Sequence, residues 1–196
     1  MKRFLFGLLL LGSLTLAQQE ASLSGIIELV QGEATEGTRV AIHIIDRDSV
    51  WQREVASVVP TAGTFTISTQ PVNPDELAPF RSGAVLFPGL QNEYTVSPEG
   101  VNFAQARVNM YVDANQNGVF DRSSDATYIG IASLEEPVGF FALIYVDKEA
   151  TISGKGATLN LSMGWNVFTV LFPEGGEPTY QVQPVIGNLL MSVFLP

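Results

Sequence analysis

Along most of this chain apolar and polar residues alternate in short runs, and long helical periodicity is missing. Residues 64–69 (TFTIST) show the pattern most plainly, with Phe65 and Ile67 on one face and threonines on the other, as a half-buried strand requires. Residues 24–30 (SGIIELV) and 38–46 (TRVAIHIID) are rich in β-branched side chains and flank a Gly- and Glu-containing turn, which predicts two further strands. Residues 50–59 follow, broken at Pro60-Thr61-Ala62-Gly63. Strands are then predicted at 83–87, 93–97, 105–112, 128–133, 140–146, 157–161, 166–172, 180–185 and 189–195. The one helix-start signal is Asn73-Pro74-Asp75-Glu76, with Asn as N-cap, Pro at the first helical position and acids in the first turn. Pro79 limits that helix to about one turn. Short strands at intervals of about 8–12 residues point to a β-sandwich.

The first seventeen residues stand apart from this pattern. Lys2 and Arg3 precede an apolar run at 4–16, and Thr15-Leu16-Ala17 closes it with small residues. That is the layout of a secretory signal peptide cut after Ala17, and the run is short of the roughly 20 residues a membrane span needs. The expectation is therefore export to the periplasm, cell envelope or exterior, with no membrane span in the mature chain. There is no cysteine, so no disulfide and no lipidated cysteine. Removing the leader takes away two of ten basic residues and none of the twenty acidic ones, leaving a charge of −12. Such a surface repels phosphate backbones, which argues against nucleic-acid binding, and concentrates divalent cations near carboxylates. With 46% apolar and 15% charged residues, the chain has the material for a core.

The chemistry concentrates between Asp113 and Asp125. Asp113, Asn115 and Asn117 stand at alternate positions, Gly118 follows, and Asp121 comes three residues later. This spacing fits the opening of the EF-hand calcium pattern D-x-[DN]-x-[DN]-G. Ca²⁺ takes six to eight oxygens, and a short loop supplies them only by curling tightly, which the glycine permits. The predicted ligands are the side chains of Asp113, Asn115, Asn117 and Asp121, the carbonyl of Val119, and Asp125. The twelfth position is Ser124 in place of Glu, so Asp125 is the candidate for the last ligand. A tight Asn-Gly hairpin turn is the simpler alternative. With three carboxylates and two amides the affinity expected is on the order of 10⁻⁴–10⁻³ M, and the role structural. Strands are expected on both sides of the loop, unlike a helix-loop-helix EF-hand.

Residues 22–134 also resemble a family. Ser24-Gly25-Ile26, Arg39-Val40-Ala41-Ile42, Gly63-Thr64-Phe65-Thr66-Ile67 and Met110-Tyr111-Val112-Asp113 through Asp121 follow in the order of prealbumin-like (carboxypeptidase-regulatory-like) domains of secreted bacterial proteins. Many of these carry a D-x-N-x-N-G-x-x-D hairpin. The resemblance implies an immunoglobulin- or prealbumin-like sandwich; residues 138–196 lie outside it and read as a C-terminal β extension. The family usually has a Gly-Glu or Gly-Asp-Glu step after the loop, where this chain has Arg122-Ser123-Ser124-Asp125. Residues 18–196 read as one unit, with two small β domains meeting near 135–137 as the alternative.

Other candidates are thinner. His43, the one histidine, lies in an apolar strand and has no His or Cys partner for a zinc site. No Gly-x-Ser-x-Gly elbow occurs. Glu135 with Glu136, Asp46 with Asp48, and Asp147 with Glu149 are carboxylate pairs of the kind glycoside hydrolysis uses, though in so acidic a chain such pairs arise by chance. Trp51, Trp165, Tyr94, Tyr111, Tyr128, Tyr145 and Tyr180 could include a sugar-stacking face, with Trp51 the most exposed by its neighbours Gln52 and Arg53. The function expected is a non-enzymatic exported module, stabilised by Ca²⁺, acting in cell-envelope structure or in contact with a surface protein or glycan. A carbohydrate-binding module and a small secreted hydrolase are the alternatives.

Overall fold

A computed structural model describes residues 18–30, 34–46, 50–81, 94–154 and 157–194. The leader expected at 1–17, the strand expected at 83–87, Asp48 and the last two residues lie outside them. The described residues form β1 (Ser22–Leu29), β2 (Thr38–Ile45), β3 (Trp51–Val58), β4 (Thr64–Ser68), β5 (Ala78–Pro79), β6 (Thr95–Ser97), β7 (Asn102–Val112) and β8 (Ala126–Thr127). They continue with β9 (Ile129–Leu134), β10 (Gly139–Val146), β11 (Ala150–Gly154), β12 (Ala157–Leu161), β13 (Gly164–Leu171), β14 (Thr179–Gln183) and β15 (Val185–Phe194). The helix-start signal yields a 3-10 turn at Pro74–Glu76, where Glu76 Oε2 accepts the Asn73 N–H at 2.8 Å and pairs with Arg53.

The result is an all-β, sandwich-like fold. The main sheet runs β3-β2-β7-β10-β9-β15-β1-β4, with β13 and β14 branching from β10. Its two end strands, β3 and β4, approach each other, so the sheet curls around one core. Leu23, Val40, Ile42, Phe65, Ile67, Met110, Leu143, Trp165, Val167 and Leu189 fill that core. A second sheet, β12-β11-β6, helps enclose another core of Val101, Phe103, Ile144, Val146, Ile152, Leu159, Phe168 and Val170.

This second core explains why β10 and β13 read as nearly unbroken apolar runs. Leu143, Tyr145, Trp165 and Val167 face the first core, while Ala142, Ile144, Phe168 and Val170 face the second. β7 changes character along its length for the same reason. Ala104, Ala106 and Met110 face inward throughout. On the other side, Phe103 joins the second core, and Gln105, Arg107, Asn109 and Tyr111 follow it at alternate positions. Toward its end β7 therefore presents a polar and aromatic outer face beside β2, registered Tyr111 to Arg39, Asn109 to Ala41 and Arg107 to His43.

The 138–196 stretch contributes strands to the same sheet, and β15 lies between β9 and β1. The β1–β15 pairing is parallel, with a register shift between Leu23 and Gly25. There the backbones approach so closely that a Cβ on Gly25 would lie 2.2 Å from the Leu189 carbonyl oxygen. Gly25→Ala is expected to force the two strands apart and destabilise the fold by roughly 1–3 kcal/mol. Urea denaturation checks this, and an unchanged midpoint would contradict it.

Candidate metal centre

β7 carries the chain into the 113–125 loop, and β8 brings it back, pairing Val112 with Ala126 and Tyr111 with Thr127. Asp113 opens the loop, donating its N–H to the Gly37 carbonyl at 3.0 Å. Its side chain is only 4% exposed. Oδ1 accepts the Asn117 N–H at 3.1 Å and Oδ2 the Gly118 N–H at 2.8 Å. Asn115 Oδ1 accepts the Asn117 N–H at 3.0 Å, and Asn117 Oδ1 accepts the Val119 N–H at 2.8 Å. Gln116 (φ 56°) and Gly118 (φ 81°) both take left-handed backbone, which curls the chain around Asp113.

Asp125 closes the loop. Its Oδ1 accepts the Ala114 N–H at 3.1 Å and its Oδ2 the Asp121 N–H at 2.8 Å, so one carboxylate ties the first turn to the last. Ser124, at the twelfth position, accepts from Asn115 Nδ2 at 3.2 Å. Asp121 Oδ1 accepts from the Ser123 N–H and Oγ at 2.9 and 2.7 Å. These bonds hold the Asp121 carboxyl below its ordinary pKa and tie it to the following turn.

The donors are all hard oxygens, as Ca²⁺ requires. Among the described residues none of the three carboxylates has a Lys or Arg ion-pair partner. Nor do three Asp, Glu or His side chains converge there as a metal-holding group. Of the predicted ligands, the fold brings Asp113 and Asn115 together, their oxygens accepting the same Asn117 N–H, while Asp125 is turned to the Ala114 and Asp121 N–H groups and Asp121 to Ser123.

The loop is seated on the outer face of β2, β3 and β7 by Phe120. This ring packs edge-on against His43, Trp51 and Tyr111, at centroid distances of 5.3, 5.0 and 5.2 Å. Beneath it, Glu54 Oε2 accepts the Phe120 N–H at 3.2 Å and the Tyr111 hydroxyl at 2.9 Å. Ser57 Oγ donates to the Gly118 carbonyl at 3.3 Å, and Arg122 donates to the Trp51 carbonyl. Burial, reinforced by the bond to Glu54, raises the Tyr111 pKa above its ordinary value.

His43 is 2% exposed, covered by Trp51 stacked at 4.8 Å and 20°. Its Nδ1 pairs with Asn109 Oδ1 at 2.9 Å, and its Nε2 faces Glu54 Oε2 at 3.8 Å. Burial pushes its pKa below 6.5, with Asn109 and Glu54 opposing.

The remaining candidates disperse. Trp165, Tyr94, Tyr111, Tyr128 and Tyr145 are buried, leaving Trp51 and Tyr180 half-exposed. Asp147 binds the Asn102 backbone and side chain at 2.9 and 2.7 Å, and Asp46 caps Val50 and Gln52. Sequence reasoning missed Phe120 and Glu54. The available signal for Phe120 is that it is the lone aromatic of the 113–125 loop.

Phe120→Ala is expected to cost about 1–2 kcal/mol, less than a fully buried Phe, and to speed tryptic cleavage after Arg122. A wild-type cleavage rate in this variant would contradict the seating. Stability should also depend on pH through His43. Because its folded pKa is lowered, the unfolded chain takes up the proton first. Stability is then full above about pH 6.5 and falls as pH drops toward the folded value. His43→Gln should flatten that part of the urea-midpoint profile, and an unaltered slope would assign it elsewhere.

No protein-family model, curated protein or solved structure matches this chain.

Proposed function

We propose that this chain is an exported, non-enzymatic β-sandwich module in which the 113–125 loop takes Ca²⁺ as a structural ion. It would serve in cell-envelope structure or in contact with a surface protein or glycan. The observation that carries the reading is Asp113. Its carboxylate is buried in a curl of oxygen donors, with two backbone N–H groups but, among the described residues, no basic side chain to balance it. A buried carboxylate is costly unless bonded or paired, and a divalent cation bound beside it would offset the charge of Asp113. The apolar leader at 4–16 supports export. His43, the candidate general base of a hydrolase, lies behind Trp51, which favours a structural role.

In calorimetry the chain should show a calcium heat with an affinity on the order of 10⁻⁴–10⁻³ M. At saturating calcium the melting temperature should rise by about 5 °C. Asp113→Asn should abolish both effects. A wild-type chain with neither a calcium heat nor a shifted melt would refute the reading.

A further inference from the structure

The loop and the start of β3 border a feature that shares only Asp125 with the candidate metal ligands. An open groove of about 440 Å³ is lined by Val50, Trp51, Phe120, Arg122, Asp125 and Thr127. We infer that this groove is a subsite for a neutral saccharide, with the Trp51 indole as its stacking platform. The inference goes beyond the calcium reading, and the groove's aromatic wall does not depend on an ion.

A sugar ring has an apolar C–H face and a rim of hydroxyls that both donate and accept. Its site therefore needs an aromatic wall beside polar groups of both kinds. Trp51 and Phe120 supply the wall. Trp51 is half-exposed, and packing against His43 at 4.8 Å and Phe120 at 5.0 Å holds its ring in place. Little side-chain freedom is left to lose on binding. Arg122 supplies donors, Asp125 acceptors, and the Thr127 hydroxyl both. Thr127 stands on a strand, registered with Tyr111, so its hydroxyl is placed by the sheet.

Other ligand classes fit less well. Asp125 and the chain's net charge of −10 disfavour a polyanion. A purely aliphatic ligand would desolvate Arg122 and Asp125 without replacing their hydrogen bonds. The buried Trp165, Tyr94, Tyr111, Tyr128 and Tyr145 cannot form a competing platform.

The test is calorimetry of the whole protein in calcium buffer, with cellohexaose, xylohexaose, maltohexaose and chitohexaose as probes and inorganic polyphosphate as the anionic control. At least one oligosaccharide should give a saturable heat. Trp51→Ala should weaken that binding by about tenfold or more. Thr127→Ala, an exposed hydroxyl deletion that should leave the melting temperature and the calcium heat unchanged, should weaken it by several-fold. The calcium titration of the same samples separates failure of the groove from failure of the metal site. Silence with all four oligosaccharides, binding of polyphosphate alone, or undiminished binding in both variants would overturn the inference.

Discussion

The structure around the loop depends on a carboxylate withdrawn from water at the end of a strand. Asp113 closes β7, with its N–H bonded to Gly37 and its side chain buried. Such a group persists only if its oxygens are satisfied, and hydrogen bonds to a charged acceptor contribute about 1.5–3 kcal/mol each. The chain meets that demand locally. It turns through left-handed residues at Gln116 and Gly118 so that the N–H groups of Asn117 and Gly118 point back at Asp113. The curl leaves the Asn115 oxygen as a neighbour of that carboxylate, both accepting the Asn117 N–H. The candidate cation site is thus a by-product of how Asp113 is satisfied.

A curl of this kind would fray if it stood free in solvent. Phe120 and Glu54 prevent that. The ring sits among His43, Trp51 and Tyr111, and Glu54 receives both the loop backbone and the Tyr111 hydroxyl. This coupling explains why the outer face of β2, β3 and β7 carries a histidine, a glutamate and aromatics where an exposed sheet would carry threonines. It also links the loop to the Trp51 groove, because the residues that seat Phe120 hold the indole as well.

Much of the fold was legible because one-sided strands announce themselves. The alternation at 64–69 predicts β4 almost to the residue, the β-branched runs locate β1 and β2, and the stretch at 50–59 locates β3. Where the environment is two-sided the pattern loses information. In β10 and β13 both faces are covered by separate cores, so their apolar runs indicate burial but not which side meets which partner. The second sheet was only partly visible, and β11 was missed because Ala150–Gly154 is short and mixes small residues with a single Ile. The parallel contact between β1 and β15 joins the two ends of the described chain, and no local pattern encodes it.

The site divides the same way. Ligand-type side chains at alternate positions can be read from spacing, because they act within one loop. The closure by Asp125 onto Ala114 and the seating of Phe120 on Glu54 span 11 and 66 residues and depend on tertiary placement. The seven aromatics illustrate the limit. Composition offers all of them as a platform, and burial withdraws five.

The most direct measurement of the central claim is amide hydrogen exchange across 113–125, with and without calcium. The N–H groups of Asn117 and Gly118 already point at the carboxylate that would grip the ion. Bound Ca²⁺ should therefore slow their exchange markedly while leaving β13 amides, buried in the fold, unchanged. Equal rates at Asn117 and Gly118 in calcium and in chelator would contradict the account.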